Sequence, residues 1–160
     1  LAAGASAGRP EVIAAALGAV DLAARGAAAF GTLSGGEQAR GHLARALAQV
    51  WEPVAEGRPA WLLLDEPVAS LDIGHQLLVM RRVAAYARAG GGVVAVMHDL
   101  NLTAMFADRV FLLDAGGVAA AGTPSEVLTD GLLSRAYRAG LRVNRAPPDG
   151  QVFLLPQAAS

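Results

Sequence analysis

Trp61-Leu62-Leu63-Leu64-Asp65-Glu66-Pro67 is the stretch on which the fold turns. Four apolar residues in a row, closed by a polar turn, read as a fully buried strand of a parallel sheet. Two carboxylates emerge where the strand ends. Neighbours on an extended strand point to opposite faces, so the two acids can do different work. One can face a divalent cation and the other a water molecule, the pairing that phosphoryl transfer uses. A solvated strand end would account for two acids, but it does not require Leu-Leu-Leu-Asp-Glu-Pro.

Upstream stands Leu33-Ser34-Gly35-Gly36-Glu37-Gln38. Ser34 and Glu37 form an S-x-x-E capping box that opens a helix reaching about Val50, with Leu43, Leu47 and Val50 on one face. Free backbone N–H groups and the positive end of the helix dipole face outward at such a terminus, and glycine lets an anion come close. Ser34, Gly35 and Gly36 therefore make a candidate phosphate site. An ordinary capped helix would explain a bare S-G-G-E equally well; the strand with its two acids, following at a suitable distance, tips the balance.

Downstream, Ala69-Ser70-Leu71-Asp72 is a turn and helix cap, followed by a helix over Ile73–Ala89 that Gly90-Gly91-Gly92 ends. Val93–Met97 reads as a second buried strand and delivers His98, whose imidazole can donate a hydrogen bond to developing phosphate charge. His42 and His75 read as structural or solvated. Asp99 caps a short helix over Leu100–Ala107. Val110–Leu113 is a third strand, and Ala115-Gly116-Gly117 turns the chain back into Val118–Ala121. Thr123-Pro124-Ser125-Glu126 opens a further helix, and another covers Leu132–Arg138. Before these elements, residues 1–10 read as loop, Glu11–Val20 as a weak helix and Gly26–Thr32 as a connection. Glu52–Ala60 reads as a loop. The tail holds two short apolar segments, Leu141–Val143 and Val152–Leu155, with Pro147-Pro148-Asp149-Gly150 as a hairpin turn between them. Strands alternating with helices imply an α/β fold with a parallel sheet, closed by antiparallel pieces. Ligands of such sheets sit beyond the carboxyl ends of the strands, where Asp65, Glu66 and His98 fall.

Bulk properties narrow the classes. The chain has 160 residues, 54% hydrophobic and 17% charged, with net charge −1. No apolar stretch approaches the roughly 18 residues of a membrane span, no basic stripe argues for nucleic acid, and no cysteine is present. All thirteen basic residues are arginine. Chemistry that needs a lysine must find it elsewhere.

In this order the elements resemble the nucleotide-binding domain of ABC ATPases, a P-loop NTPase-like fold, from about Gly31 to Val127. Leu33–Gln38 is similar to the family's signature motif and Leu62–Glu66 to its Walker B strand with the catalytic glutamate. Ala69–Asp72 is similar to the D-loop, and His98 to the switch histidine. The resemblance implies ATP and Mg²⁺ as cofactors. It implies that Asp65 helps hold the metal, that Glu66 activates or polarises water, and that His98 contacts the γ-phosphate. Ser34, Gly35, Gly36 and Glu37 would face the ATP of a second copy in a head-to-tail dimer, and Asp72 would sit at that seam. The family's G-x-x-x-x-G-K-[ST] loop and its Q-loop glutamine are not identifiable, so the resemblance implies that the N-terminal half is absent from this chain and that the chain alone is inactive, the alternative being a truncated, non-catalytic fragment that acts only as an interaction module. Gly41 departs from the family, which usually has a larger apolar residue there. Residues 1–30 are expected to form part of a helical subdomain, 31–130 the C-terminal part of the ATPase core, and 131–160 an extension. His98-Asp99-Leu100-Asn101-Leu102 and Gly122–Leu128 are similar to bacterial importers of iron–chelate, haem and cobalamin. Asp72-Ile73-Gly74-His75-Gln76 and the tail from Val143 to Pro156 are most similar to hemin-import ATP-binding subunits. The expected partners are transmembrane permease subunits and, indirectly, a periplasmic hemin-binding protein. The expected place is the cytoplasmic face of the inner membrane.

Overall fold

In the computed structural model of the chain, residues 8–147 and 150–158 are described. They form two compact units, divided after His98.

The first unit opens with α1 (Pro10–Ala19), whose Pro10 stands at N1, and two 3-10 turns, Ala23–Arg25 and Phe30–Thr32. Helix α2 (Gly35–Gln49) follows, starting where the capping box places it. Helices α1 and α2 pack together, burying Val12 and Ala16 of α1, Val20 at its C-cap, and Leu43, Ala44 and Leu47 of α2. The segment expected as a plain loop after α2 contains a two-residue antiparallel hairpin, β1 (Val54–Ala55) against β2 (Arg58–Pro59). Its turn residues Glu56 and Gly57 both have positive φ, the geometry that matches strand twist in tight hairpins.

Strands β3 (Trp61–Asp65) and β4 (Gly92–Val96) run parallel, with Leu62 opposite Val93 and Asp65 opposite Val96. Helix α3 (Ile73–Arg88) connects them and packs on β4, as a parallel crossover requires. Its inward face is Leu77, Met80, Val83 and Tyr86. At the α3–β4 junction backbone and rings meet closely. A Cβ on Gly91 would strike the Tyr86 ring and one on Gly92 the Trp61 indole, so only glycine fits there.

One expectation fails here. The strands are not buried on both faces: Leu62 is 3% exposed, but Leu63 is 78%, Trp61 56%, Val94 53% and Val96 52% exposed. Among the described residues of this unit α3 packs on the pair, and the face carrying Trp61, Leu63, Val94 and Val96 is bare. A continuous apolar run signals two covered faces, but among the described residues of this unit only one face is covered.

The second unit contains α4 (Leu100–Phe106), then the antiparallel hairpin β5 (Val110–Asp114) and β6 (Gly117–Gly122). Two short helices follow, α5 (Pro124–Val127) and α6 (Asp130–Tyr137). Ala115 and Gly116 take positive φ in the hairpin turn. Leu102, Leu112, Val127, Leu128 and Leu133 form the core. Helix α6 begins at Asp130, two residues before its expected start, with Thr129 as its cap. Of the tail, Leu141–Val143 and Val152–Leu155 adopt no strand, so the second expected hairpin does not form among the described residues. Its turn lies partly outside them, at 148 and 149. Asp130 holds the tail by accepting from Val143 N–H at 2.7 Å and from Arg142 at 3.1 Å.

No helix among the described residues is long and apolar enough to cross a membrane.

Candidate functional site

The parallel register of β3 and β4 brings their carboxyl ends to one side of the first unit. Asp65 is the last residue of β3 and is exposed. Glu66 then leaves the strand with φ 46°. Side-chain alternation is therefore not what separates the two acids; the left-handed turn at Glu66 does it. A glutamate held there carries strain of about 1–3 kcal/mol that surrounding contacts must over-determine. Those contacts are present: Glu66 N–H donates to Val96 C=O at 3.1 Å, and Ala69 N–H donates to Glu66 C=O at 3.2 Å. The turn carries the Glu66 side chain to His98, where Oε1 and Nε2 meet at 2.7 Å. Both groups remain open to solvent.

Ser34, the N-cap of α2, makes both arms of its capping box. Its Oγ accepts from Glu37 N–H at 3.3 Å, and Glu37 Oε2 accepts from Ser34 N–H at 2.8 Å. The N–H groups of Gly35 and Gly36 have no intrahelical acceptor by position. Gln38 secures the turn by donating from Nε2 to Leu33 C=O at 3.0 Å. Bonding from Ser34, and next from Arg25, holds the Glu37 carboxyl below the usual carboxylate range.

Gly36 packs directly on the Ala69–Asp72 turn: a Cβ there would meet Ser70 O at 3.4 Å and the Leu71 side chain at 3.5 Å. The glycine run and the turn after the two acids therefore share one surface. Asp72 caps α3. Its Oδ1 accepts from His75 N–H at 3.0 Å, and its Oδ2 meets His75 Nδ1 at 2.6 Å. These bonds, the backbone one first, pull the Asp72 carboxyl below its ordinary value. His75 is thus part of the cap, and His42 stacks edge-on to Phe30 at 4.9 Å.

Several residues that hold the site gave no sequence signal. Arg40 is buried and donates to Val20 and Asp21 C=O, both at 2.9 Å, capping the carboxyl end of α1. Asp21 Oδ2 lies 3.6 Å from Arg40 Nη1 and 3.7 Å from His75 Nε2. Arg25 pairs with Glu37 across a connection of twelve positions.

Three or more metal-ligating side chains do not cluster among the described residues. That donor set does not suit a resident metal caged by protein. It does suit Mg²⁺ brought by a nucleotide, which needs only one or two carboxylates beside the phosphates and water. Asp65 can supply one.

No family model matches the chain. The hemin import ATP-binding protein HmuV of Roseobacter denitrificans is 64% identical over 128 residues, covering 80% of this chain and 49% of the relative. Among solved structures, an inward-facing ABC transporter described as of the metal-chelate type aligns with TM-score 0.65 at 26% identity. That alignment covers 80% of this chain and 48% of the other. A bacterial ABC transporter cassette solved as a dimer aligns with TM-score 0.60 at 29% identity, over 71% of this chain and 46% of the other. The fold is that of part of an ABC ATPase cassette, of the P-loop NTPase class. In sequence the chain resembles ABC transporter ATP-binding subunits, bacterial hemin-import ATP-binding proteins among them. It spans about half the length of the curated relatives it matches.

Proposed function

We propose that this chain is the C-terminal half of the ATP-hydrolysing, energy-coupling subunit of a bacterial ABC importer for hemin. The carrying observation is the 2.7 Å hydrogen bond between Glu66 and His98 at the carboxyl end of the β3–β4 pair. A helix terminus suited to phosphate, packed on the turn that follows the two acids, supports the same reading.

The division of labour is the one the family resemblance implies, and the geometry is compatible with it. Asp65 would hold Mg²⁺ arriving with ATP; bound there, the ion neutralises phosphate oxygens. Glu66 offers Oε1 to His98 and keeps Oε2 for the attacking water, which it orients or deprotonates. His98 supplies the hydrogen bond to the γ-phosphate. Ser34 Oγ accepts from the Glu37 N–H, so its one proton can be donated to an oxygen of ATP held by a second copy. Asp72 borders that seam. Two copies would work head to tail, bound to transmembrane permease subunits at the cytoplasmic face of the inner membrane. A periplasmic hemin-binding protein would supply the cargo. Residues 1–30 would belong to the helical subdomain, 31–130 to the ATPase core and 131–160 to an extension. Support for hemin over an iron–siderophore or cobalamin comes from the relatives' names, since no residue of the ATPase touches the cargo.

Two measurements test the reading on the full-length subunit. Glu66→Gln should lower kcat at least about a hundredfold while ATP binding persists; full turnover in that variant removes the role given to Glu66. With the permease in vesicles, hemin-loaded binding protein should stimulate hydrolysis. Stimulation by ferric siderophore or cobalamin alone would reassign the cargo.

A further inference from the structure

We propose that Arg25 is a positioning residue that cancels the charge of Glu37 at the phosphate-facing start of α2. The inference rests on the reading of Ser34, Gly35 and Gly36 as a phosphate site. Glu37 creates a conflict at that site. Its carboxylate completes the capping box and suits the helix dipole. The same negative charge stands one turn from where a phosphate would approach and opposes it.

The structure resolves the conflict with a cation brought from outside the helix. Arg25, at the end of the 3-10 turn Ala23–Arg25, donates from Nε to Glu37 Oε1 at 3.0 Å. Oε2 stays on Ser34 N–H. Both carboxylate oxygens are therefore engaged, one by a cation and one by the backbone of the residue that would touch phosphate. The pair is partly sheltered, with the Glu37 side chain 20% exposed and that of Arg25 49% exposed. Arg25 would act through Glu37 on Ser34 and would not touch the nucleotide.

The experiment uses the full-length subunit and MgATP, with Arg25→Gln, Arg25→Lys, Glu37→Gln and the double Gln variant. Gln at 37 keeps an oxygen for Ser34 N–H, since S-x-x-Q caps as S-x-x-E does, but it removes the charge. Arg25→Gln should raise KM about threefold to tenfold at low salt, with a smaller change in kcat. The effect should fade as salt approaches about 1 M, and Arg25→Lys should recover most of it. Adding Glu37→Gln to Arg25→Gln should bring KM to within about twofold of Glu37→Gln alone. An unchanged KM in Arg25→Gln overturns the inference. So does a defect that survives in the double variant, because Arg25 would then serve packing and not charge. Absence of turnover in the unsubstituted subunit overturns the parent reading and takes this inference with it; turnover with an indifferent Arg25→Gln overturns the inference alone.

Discussion

At the scale of single residues, the site depends on backbone positions that side-chain chemistry does not advertise. Glu66 sits at φ 46°, where glycine is the usual occupant. The N–H bond to Val96 and the bond to His98 hold it there. A glutamate after a strand is visible in the sequence; its left-handed turn is not, because the turn is set by contacts 30 positions away. Gly41 shows the opposite relation. Inside α2 it costs about 0.5–1 kcal/mol relative to alanine, and its space is taken by Phe30, whose ring carbon lies 3.1 Å from where a Cβ would be. Phe30 is 47% exposed, so its ring can give way. Gly41→Ala should therefore stabilise the protein by about 0.5 kcal/mol in thermal or denaturant unfolding. A loss of stability would mean that Phe30 is fixed and that the glycine is required for packing.

At the scale of elements, caps do much of the specification. Ser34, Asp72, Asp99 and Thr123 each stand where the sequence signals a helix start. Those signals are legible because they are local: at Ser34, Asp72 and Asp99 a short polar side chain bonds a backbone N–H two or three residues on, and at Thr123 the Glu126 carboxylate takes the cap's own N–H. The carboxylates of Glu37, Asp72, Glu126 and Asp130 all titrate below their ordinary values, chiefly through bonds from backbone N–H groups. A depressed carboxylate adds stability above its unfolded pKa and loses it as pH falls through the lower folded value. Helix starts should therefore hold at neutral pH and weaken below about pH 4. Protection of the Ser34 and His75 N–H groups against amide exchange should fall over that range, since each donates to a carboxylate that becomes protonated, and Asp72→Ala should remove the pH dependence at His75. Protection that is constant down to about pH 2 would refute the assignment. What local signals could not convey is pairing across distance. The Arg25–Glu37 pair spans a connection without periodicity, and the hairpin of β1 and β2 turns on Glu56-Gly57, not on a familiar Asn-Gly.

At the scale of the molecule, the sequence gives the order of strands and helices, and the structure shows which faces they cover. An apolar run says that a strand wants cover; only the assembled chain says whether cover exists. In the first unit Trp61, Leu63, Val94 and Val96 are exposed, and in the second Phe111, Leu113 and Val118 are exposed. Bare apolar surface of this kind marks interfaces or an aggregation liability. The curated relatives extend to about twice the aligned length, and the chain has no lysine for a G-K-[ST] loop. Under the proposed function, nucleotide phosphates would then find no backbone cradle on this chain, although Asp65, Glu66 and His98 are brought together. The chain by itself should therefore bind a hydrophobic dye, associate in sedimentation as concentration rises, and show no ATP affinity in the micromolar range, which corresponds to about −8 kcal/mol. Supplying the unmatched part of the Roseobacter relative as a separate polypeptide should suppress dye binding and restore nucleotide affinity together, if under the proposed function that part covers the sheet and carries the phosphate loop. If the isolated chain is monomeric, dye-silent and binds ATP at micromolar concentration, its exposed strand faces are not interfaces and its site is complete without a partner.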